Sequence, residues 1–144
     1  MALGQSFLID KSAWVQQAYS EVARNRIDAL RVSRRLFLCS VTVAELLYSS
    51  RNVEEMQADH EDLSLLGMLP INGGVEDQVT EIMKKLAARA QHRAPSIADL
   101  FVAAVARTHQ ATVLHYDKDF ELIASATGQP QEWVVPRGTG HGRH

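Results

Sequence analysis

The chain has 144 residues, of which 46% are hydrophobic, and this predicts a single globular domain with a core of its own. Its 15 Lys and Arg residues nearly balance its 17 Asp and Glu residues. That balance excludes a global basic field that would attract nucleic acid, so any such contact must be local. Cys39 is the single cysteine, which excludes an internal disulfide, and the sequence shows neither a secretory signal nor an apolar stretch near the ~20 residues that span a bilayer. We therefore expect a cytoplasmic protein that does not enter a membrane.

The first half of the chain alternates between predicted strands and helices. Short apolar runs bounded by polar residues indicate strands, and apolar residues at helical spacing indicate helices. The expected order is a strand at Ser6–Ile9, a helix from Ser12 to Leu30, a strand at Leu36–Val41, a helix from Thr42 to about Ser49 and a helix at Val53–Leu66.

The second half continues this alternation. Its expected elements are a strand at Met68–Ile71, a helix at Val75–Ala90, a helix at Ser96–His109, a strand at Thr112–His115, a helix at Asp119–Ala126 and a strand at Glu132–Val135. Such βα alternation predicts an α/β fold around a mostly parallel sheet. We place one domain at residues 1–136, followed by a flexible tail rich in Gly and His at residues 137–144.

Four acidic residues far apart in the sequence each lie where a predicted strand ends or a predicted helix begins. They are Asp10 in Leu-Ile-Asp-Lys-Ser, Glu45 in Thr-Val-Ala-Glu-Leu, Asp99 in Ser-Ile-Ala-Asp-Leu and Asp117 in Tyr-Asp-Lys-Asp-Phe. In a mostly parallel sheet, residues that follow the strands meet in the crevice beyond the carboxyl ends. We therefore predict one shared acidic site, and a cluster of carboxylates without a fixed cation favours a hard metal ion.

Asp99 is the most informative of these acids. The predicted helix around it is apolar on almost every side, and Asp99 is its one ionisable group before Arg107. A helix of that kind is expected to be buried, and a buried charge is costly unless it is paired, hydrogen-bonded or bound to metal. An inward-facing metal site explains its presence.

The alternative is that the acids only cap helices. Thr42 and Glu45 have the spacing of a capping box, Ser96 and Asp99 have that of its shorter acidic variant, and Asp10 and Asp117 are possible N-caps. The chain would then be a non-catalytic α/β protein-interaction module with an apolar binding surface. Substitution of the acids separates the two hypotheses, because caps affect stability whereas ligands affect activity.

The order of these motifs resembles that of the PIN-domain ribonucleases, and more closely that of the VapC toxins of type II toxin–antitoxin systems. The shared pattern is an Asp after the first strand, a Glu-Leu pair within the second helix, an Ile-Ala-Asp helix and an Asp-x-Asp-Phe turn, and it spans residues 6–136. The resemblance implies a single PIN domain, folded as an α/β/α sandwich with a central, mostly parallel sheet.

The resemblance also implies Mg²⁺- or Mn²⁺-dependent hydrolysis of RNA phosphodiester bonds. Matching the family's motif to this sequence gives the expected catalytic residues, which are Asp10, Glu45, Asp99 and Asp117. All of them except Glu45 are expected to hold the metal. Two auxiliary candidates are Asp119, which could replace Asp117 as the fourth acid, and Ser12, which could orient a ligand or simply open a helix. Oxygen ligands fit these hard cations.

The family resemblance further implies protein partners. A cognate VapB-type antitoxin is expected to cover the acidic groove and insert a basic side chain into it, and arginine pairs well with carboxylates. A homodimer or a toxin–antitoxin hetero-oligomer is expected, with residues 16–30 or 53–66 as possible interface segments. Transfer RNA and ribosomal RNA are both open as substrates.

Overall fold

A five-stranded parallel sheet forms the centre of the computed structural model, which describes residues 4–142. The strands are β1 (Phe7–Ile9), β2 (Leu36–Leu38), β3 (Gly67–Met68), β4 (Thr112–His115) and β5 (Gln131–Trp133). Their order is β3-β2-β1-β4-β5, and every neighbouring pair is parallel. The central strand β1 therefore has β2 on one side and β4 on the other.

Helices cover both faces of this sheet. They are α1 (Lys11–Trp14), α2 (Glu21–Val32), α3 (Ser40–Tyr48), α4 (Val53–Leu63), α5 (Gly73–Ala87), α6 (Ile97–Thr108) and α7 (Lys118–Thr127), with a 3₁₀ helix at Val15–Ala18. Successive strand side chains point to opposite faces. Leu8 and Val113 accordingly pack with residues of α5, α6 and α7, whereas Ile9 and Leu114 pack with residues of α1, α2 and α4. The predicted α/β/α sandwich with a parallel sheet is confirmed.

Helix α6 is the most buried helix among the described residues. Seven of its twelve residues are buried, including the unbroken run from Val102 to Ala106. It packs against α5 and α7 on one face of the sheet. The sequence prediction of a central apolar helix is confirmed, and Asp99 in its first turn has a side chain that is mostly shielded from solvent.

Several element boundaries differ from the predicted ones. The helix predicted from Ser12 to Leu30 is three segments, because Ser20 has extended backbone and its side chain accepts a hydrogen bond from the backbone N–H of Ala23, which starts α2 anew. The second strand ends at Leu38 rather than Val41, since Cys39 is the N-cap of α3. The third strand is two residues long and starts at Gly67.

The described part of the C-terminal tail contacts the domain. The backbone N–H groups of Gly138 and Gly140 both donate to the Tyr116 hydroxyl, at 2.9 and 2.8 Å. The side-chain amide of Gln16 donates to the carbonyl of His141 and accepts from its N–H. His144 lies outside the described residues, and both the flexibility of the tail and the domain boundary at residue 136 stay predictions.

No helix within residues 4–142 combines the length and apolar character needed to cross a bilayer.

Candidate metal centre

The four predicted acids line one cavity. Asp10 follows β1 and Asp117 follows β4, and these neighbouring strands are in register with Ile9 opposite Leu114, so both acids lie at the same edge of the sheet. Asp99 reaches this edge from the first turn of α6, and Glu45 reaches it from the middle of α3. Together with Asp119 they line a cavity of about 550 Å³.

The tightest group of carboxylates in residues 4–142 consists of Asp99, Asp117 and Asp119. One oxygen from each of these side chains lies within 4.8 Å of the other two, close enough for a single ion to contact all three. Asp10 borders the same cavity but is outside this group. The assignment of Asp10, Asp99 and Asp117 as metal ligands therefore stays a prediction, and the geometry adds Asp119 to the candidates.

Asp10 is fixed by Ser12. One carboxylate oxygen of Asp10 accepts hydrogen bonds from the backbone N–H of Ser12, at 3.0 Å, and from its hydroxyl, at 2.6 Å, so that Asp10 is the N-cap of α1. The Ser12 hydroxyl in turn accepts a hydrogen bond from the backbone N–H of Tyr116, at 2.8 Å. Burial raises the pKa of Asp10, and its hydrogen bonds with Ser12 oppose that rise. Ser12 thus ties together the segments that follow β1 and β4.

Asp99 forms the predicted capping box with Ser96. The Asp99 N–H donates to the Ser96 hydroxyl at 3.1 Å, and the Ser96 N–H donates to one carboxylate oxygen of Asp99 at 3.3 Å. The pKa of Asp99 is nevertheless raised to about 7, first by burial and then by the negative charges of Asp10 and Asp117. The capping box therefore explains how the Asp99 side chain is oriented. It does not offset the burial and the neighbouring negative charges that raise its pKa.

Asp117 is held by groups on both sides of it. One of its carboxylate oxygens accepts a hydrogen bond from the Asp119 N–H at 2.9 Å, which makes Asp117 the N-cap of α7. Its own N–H donates to Nδ1 of the buried His115, at 3.1 Å. Nδ1 is then an acceptor, so Nε2 carries the proton and donates a hydrogen bond to the side-chain oxygen of Gln131. Burial lowers the pKa of His115, which favours this neutral form.

Sequence reasoning missed the role of His115. The available signal was its position as the last residue of a strand, two residues before a site acid. A buried imidazole at that position needs two partners, and the turn beginning at Asp117 supplies one of them.

Glu45 has no capping role. Helix α3 begins at Ser40, and its N-cap residue makes no side-chain capping bond, so the predicted capping box of Thr42 and Glu45 is wrong. Thr42 is instead fully buried beside the thiol of Cys39. The pKa of Glu45 is raised by burial and by the charge of Asp10. Helix capping therefore does not account for its place at the cavity.

The three capping aspartates share a common arrangement. In Asp10, Asp99 and Asp117 one carboxylate oxygen accepts a hydrogen bond from a nearby backbone N–H, which orients the side chain. The pKa of Asp119 is also raised, by burial and by Asp117. Lys11 and Arg93 are the cations that line the cavity. An all-oxygen donor set with an excess of negative charge fits a hard divalent ion such as Mg²⁺ or Mn²⁺.

Comparison of the sequence with known proteins identifies relatives over most of its length. Residues 7–126 match the PIN domain family. The chain is 36% identical to Ribonuclease VapC18 of Mycobacterium tuberculosis over 135 residues, which cover 92% of this chain and 98% of that protein. It is 38% identical to Ribonuclease VapC21 of the same species over 138 residues, covering 92% and 96%.

Solved structures share the fold. A DNA-bound VapBC complex from Salmonella typhimurium contains a chain that is 19% identical, with a TM-score of 0.73, covering 92% of this chain and all of that one. A DNA-bound VapBC2 complex from Rickettsia felis gives a TM-score of 0.76 at 18% identity, covering 90% and 98%. With a family match over most of the chain and relatives above 30% identity at nearly full length, this protein belongs to the PIN-domain family and, within it, to the VapC group.

Proposed function

We propose that this protein is a metal-dependent endoribonuclease and the toxin of a type II toxin–antitoxin system. The observation that carries the proposal is the convergence of five carboxylates in one cavity, at positions that the helix-capping hypothesis does not fully explain. The ribonuclease names of its relatives give the same function class. RNA is the proposed substrate, with transfer RNA and ribosomal RNA both open.

In the proposed site, Asp10, Asp99 and Asp117 hold Mg²⁺ or Mn²⁺, and Asp119 completes or shares the ligand set. When bound, such an ion polarises a phosphoryl oxygen and increases the acidity of water. Glu45 lies at the same cavity with a raised pKa, so it is suited to accept a proton from the attacking water. Ser12 keeps the side chain of Asp10 in one orientation through two hydrogen bonds.

The metal resolves the electrostatic conflict in the site. Four of the five carboxylates have raised pKa values because of burial and mutual repulsion. A divalent cation held by these carboxylates would offset their repulsion and favour their ionised forms. We therefore propose that metal uptake is coupled to proton release and that activity falls with acidity.

A VapB-type antitoxin is the proposed inhibitor. The acidic cavity is a suitable receptor for an inserted arginine, whose planar guanidinium pairs with carboxylates through two hydrogen bonds. Exposed apolar side chains occur in both segments proposed as interfaces: Tyr19 and Val22 in residues 16–30, and Val53 and Leu65 in residues 53–66. These exposed side chains support an interface in a homodimer or a hetero-oligomer. Both segments remain candidates for that interface.

The alternative of a non-catalytic interaction module is favoured by one observation, namely that Asp10, Asp99 and Asp117 do cap helices. It leaves the position of Glu45 unexplained. A direct assay separates the two proposals. Purified protein is incubated with end-labelled cellular RNA and Mg²⁺, Mn²⁺ or EDTA, and the cleaved ends are sequenced.

The matched variants in this assay are Asp99→Asn, which removes one site charge, and Asp77→Asn, which removes an exposed charge on α5. We expect metal-dependent cleavage that Asp99→Asn lowers by at least a hundredfold and Asp77→Asn does not change. Cleavage that resists EDTA, or that survives Asp99→Asn in a folded protein, rules out the proposed mechanism.

A further inference from the structure

A second cavity adjoins the acidic one. It has a volume of about 450 Å³ and shares two wall residues, Ala94 and Asp119, with the acidic cavity. Ala94 belongs to the loop between α5 and α6, and Asp119 belongs to the first turn of α7. Any linear ligand that leaves the acidic cavity across this shared wall enters the second cavity.

The second cavity differs from the first in its balance of charge, because two acids face its two cations, whereas five acids face two cations in the acidic cavity. Lys118 and Arg137 supply two cations to its lining, next to an apolar surface made by Ala94 and Leu122. Acidic groups are present as Asp119 and Glu121. A site with five carboxylates repels a polyanion, so an RNA strand that reaches it needs cations beside the acids.

Arg137 is held in place without using its hydrogen-bond donors. Its guanidinium carbon lies 5.6 Å from the ring centroid of Trp133, and a guanidinium nitrogen is 3.7 Å from a carboxylate oxygen of Glu121. Glu121 is itself fixed by a 2.9 Å hydrogen bond from the Trp133 indole. Within residues 4–142 the Arg137 guanidinium donates no hydrogen bond, and its side chain is 47% exposed. Its donors therefore remain available to a ligand.

We infer that this second cavity binds the nucleotide adjacent to the scissile phosphodiester of single-stranded RNA. Arg137 and Lys118 contact the phosphate of that nucleotide, and its base packs against Leu122 and Ala94. Arginine is suited to phosphate because its donors form a rigid fork, and unpaired RNA bases are commonly recognised through apolar and planar contacts. The inference rests on the proposed ribonuclease function and extends it by naming a substrate subsite.

The test measures RNA affinity as a function of salt. A fluorescein-labelled, mixed-sequence, single-stranded RNA of twelve nucleotides is titrated with protein, and anisotropy is recorded between 50 and 300 mM KCl. All proteins carry Asp99→Asn to prevent cleavage. The test variant is Arg137→Gln, and the matched control is Arg31→Gln, because Arg31 is a similarly exposed arginine, paired with Asp28, that lines neither of the two cavities.

We expect Arg137→Gln to weaken RNA binding by about three- to tenfold and to reduce the slope of log K against log salt by about 0.7, the value for one phosphate contact on a single strand. Arg137→Lys should keep the slope, and Arg31→Gln should change neither quantity. Equal RNA affinity and equal slope for Arg137→Gln and Arg31→Gln would overturn the inference. This holds even if Arg137→Gln weakens the binding of a protein partner.

Failure of the inference is distinguishable from failure of the proposed function. If the protein without Asp99→Asn cleaves RNA in a metal-dependent way and Arg137→Gln does not change RNA binding, the subsite is wrong and the function stands. If that protein does not cleave RNA at all, the function is wrong. Thermal unfolding of each variant shows whether a change in affinity reflects a change in folding.

Discussion

Replacing Asp99 with Asn should stabilise the metal-free protein at alkaline pH. The pKa of Asp99 rises from an ordinary value of 3.8 to about 7 in the folded protein. The folded state then binds a proton more tightly than the unfolded state does. The contribution of Asp99 to the free energy of unfolding is therefore complete below pH 4 and is lost as the pH rises through about 7. By pH 8 the ionised carboxylate destabilises the fold.

The size of this effect follows from the shift in pKa. A shift of this size corresponds to about 4 kcal/mol at full strength, because each pKa unit is worth about 1.4 kcal/mol. The cavity is open to solvent on one side, and water screening reduces the expected value to about 1–3 kcal/mol. Asn keeps a side-chain oxygen that can accept the hydrogen bond from the Ser96 N–H, so the variant retains the helix cap.

Urea unfolding in EDTA at pH 5 and pH 8 measures the effect. We expect Asp99→Asn to be more stable than the unsubstituted protein by about 1–3 kcal/mol at pH 8, with a smaller gain at pH 5. Mg²⁺ should remove most or all of this advantage, since saturation to 100 times Kd adds about 2.7 kcal/mol to a protein that binds the ion, and the variant binds it poorly. The electrostatic reasoning is refuted if Asp99→Asn is less stable at pH 8 in EDTA, or if the difference between the proteins does not depend on pH.

Three other substitutions, one of them with a matched control, test the supports of the site and of the sheet. Ser12→Ala removes the hydroxyl that links the segments after β1 and β4, and we expect a loss of about 1–2 kcal/mol in urea unfolding together with weaker Mg²⁺ binding by calorimetry. His115→Phe removes the acceptor for the Asp117 N–H, so Mg²⁺ affinity should fall about tenfold while circular dichroism remains that of a folded protein; unchanged affinity would contradict the positioning role. Gly67→Ala places a methyl group 2.8 Å from the Phe37 ring and should cost about 1–3 kcal/mol. The matched Gly73→Ala meets no atom within 4 Å and should be neutral or slightly stabilising.

The convergence of Asp10 and Asp117 could be predicted because it depends on the parallel arrangement of the strands that they follow. Asp10 and Asp117 follow strands that proved to be parallel neighbours, which brings their carboxylates to one edge. The membership of the tightest group could not be predicted in the same way. Whether Asp119 joins Asp99 and Asp117 depends on the rotation of the first turn of α7, which the sequence pattern does not determine.

Helix starts were the least predictable feature. The second helix was predicted to begin at Thr42, which paired that residue with Glu45 in a capping box, but the helix begins at Ser40. Thr42 therefore lies inside the first turn and not at the N-cap position, where its side chain could have capped the helix. Its side chain is buried in the core, whereas Glu45 lines the acidic cavity.

The capping and metal-binding hypotheses are compatible for three of the four predicted acids. Asp10, Asp99 and Asp117 each use one oxygen to accept a hydrogen bond from a backbone N–H, which fixes a side chain that lines the acidic cavity. A ligand whose rotamer is already fixed loses little entropy when an ion binds, so the caps prepare the site for the metal. Alanine substitution removes both oxygens and mixes the two effects. Asparagine keeps a capping oxygen and removes the charge, and so it isolates the contribution of each carboxylate to metal binding and catalysis.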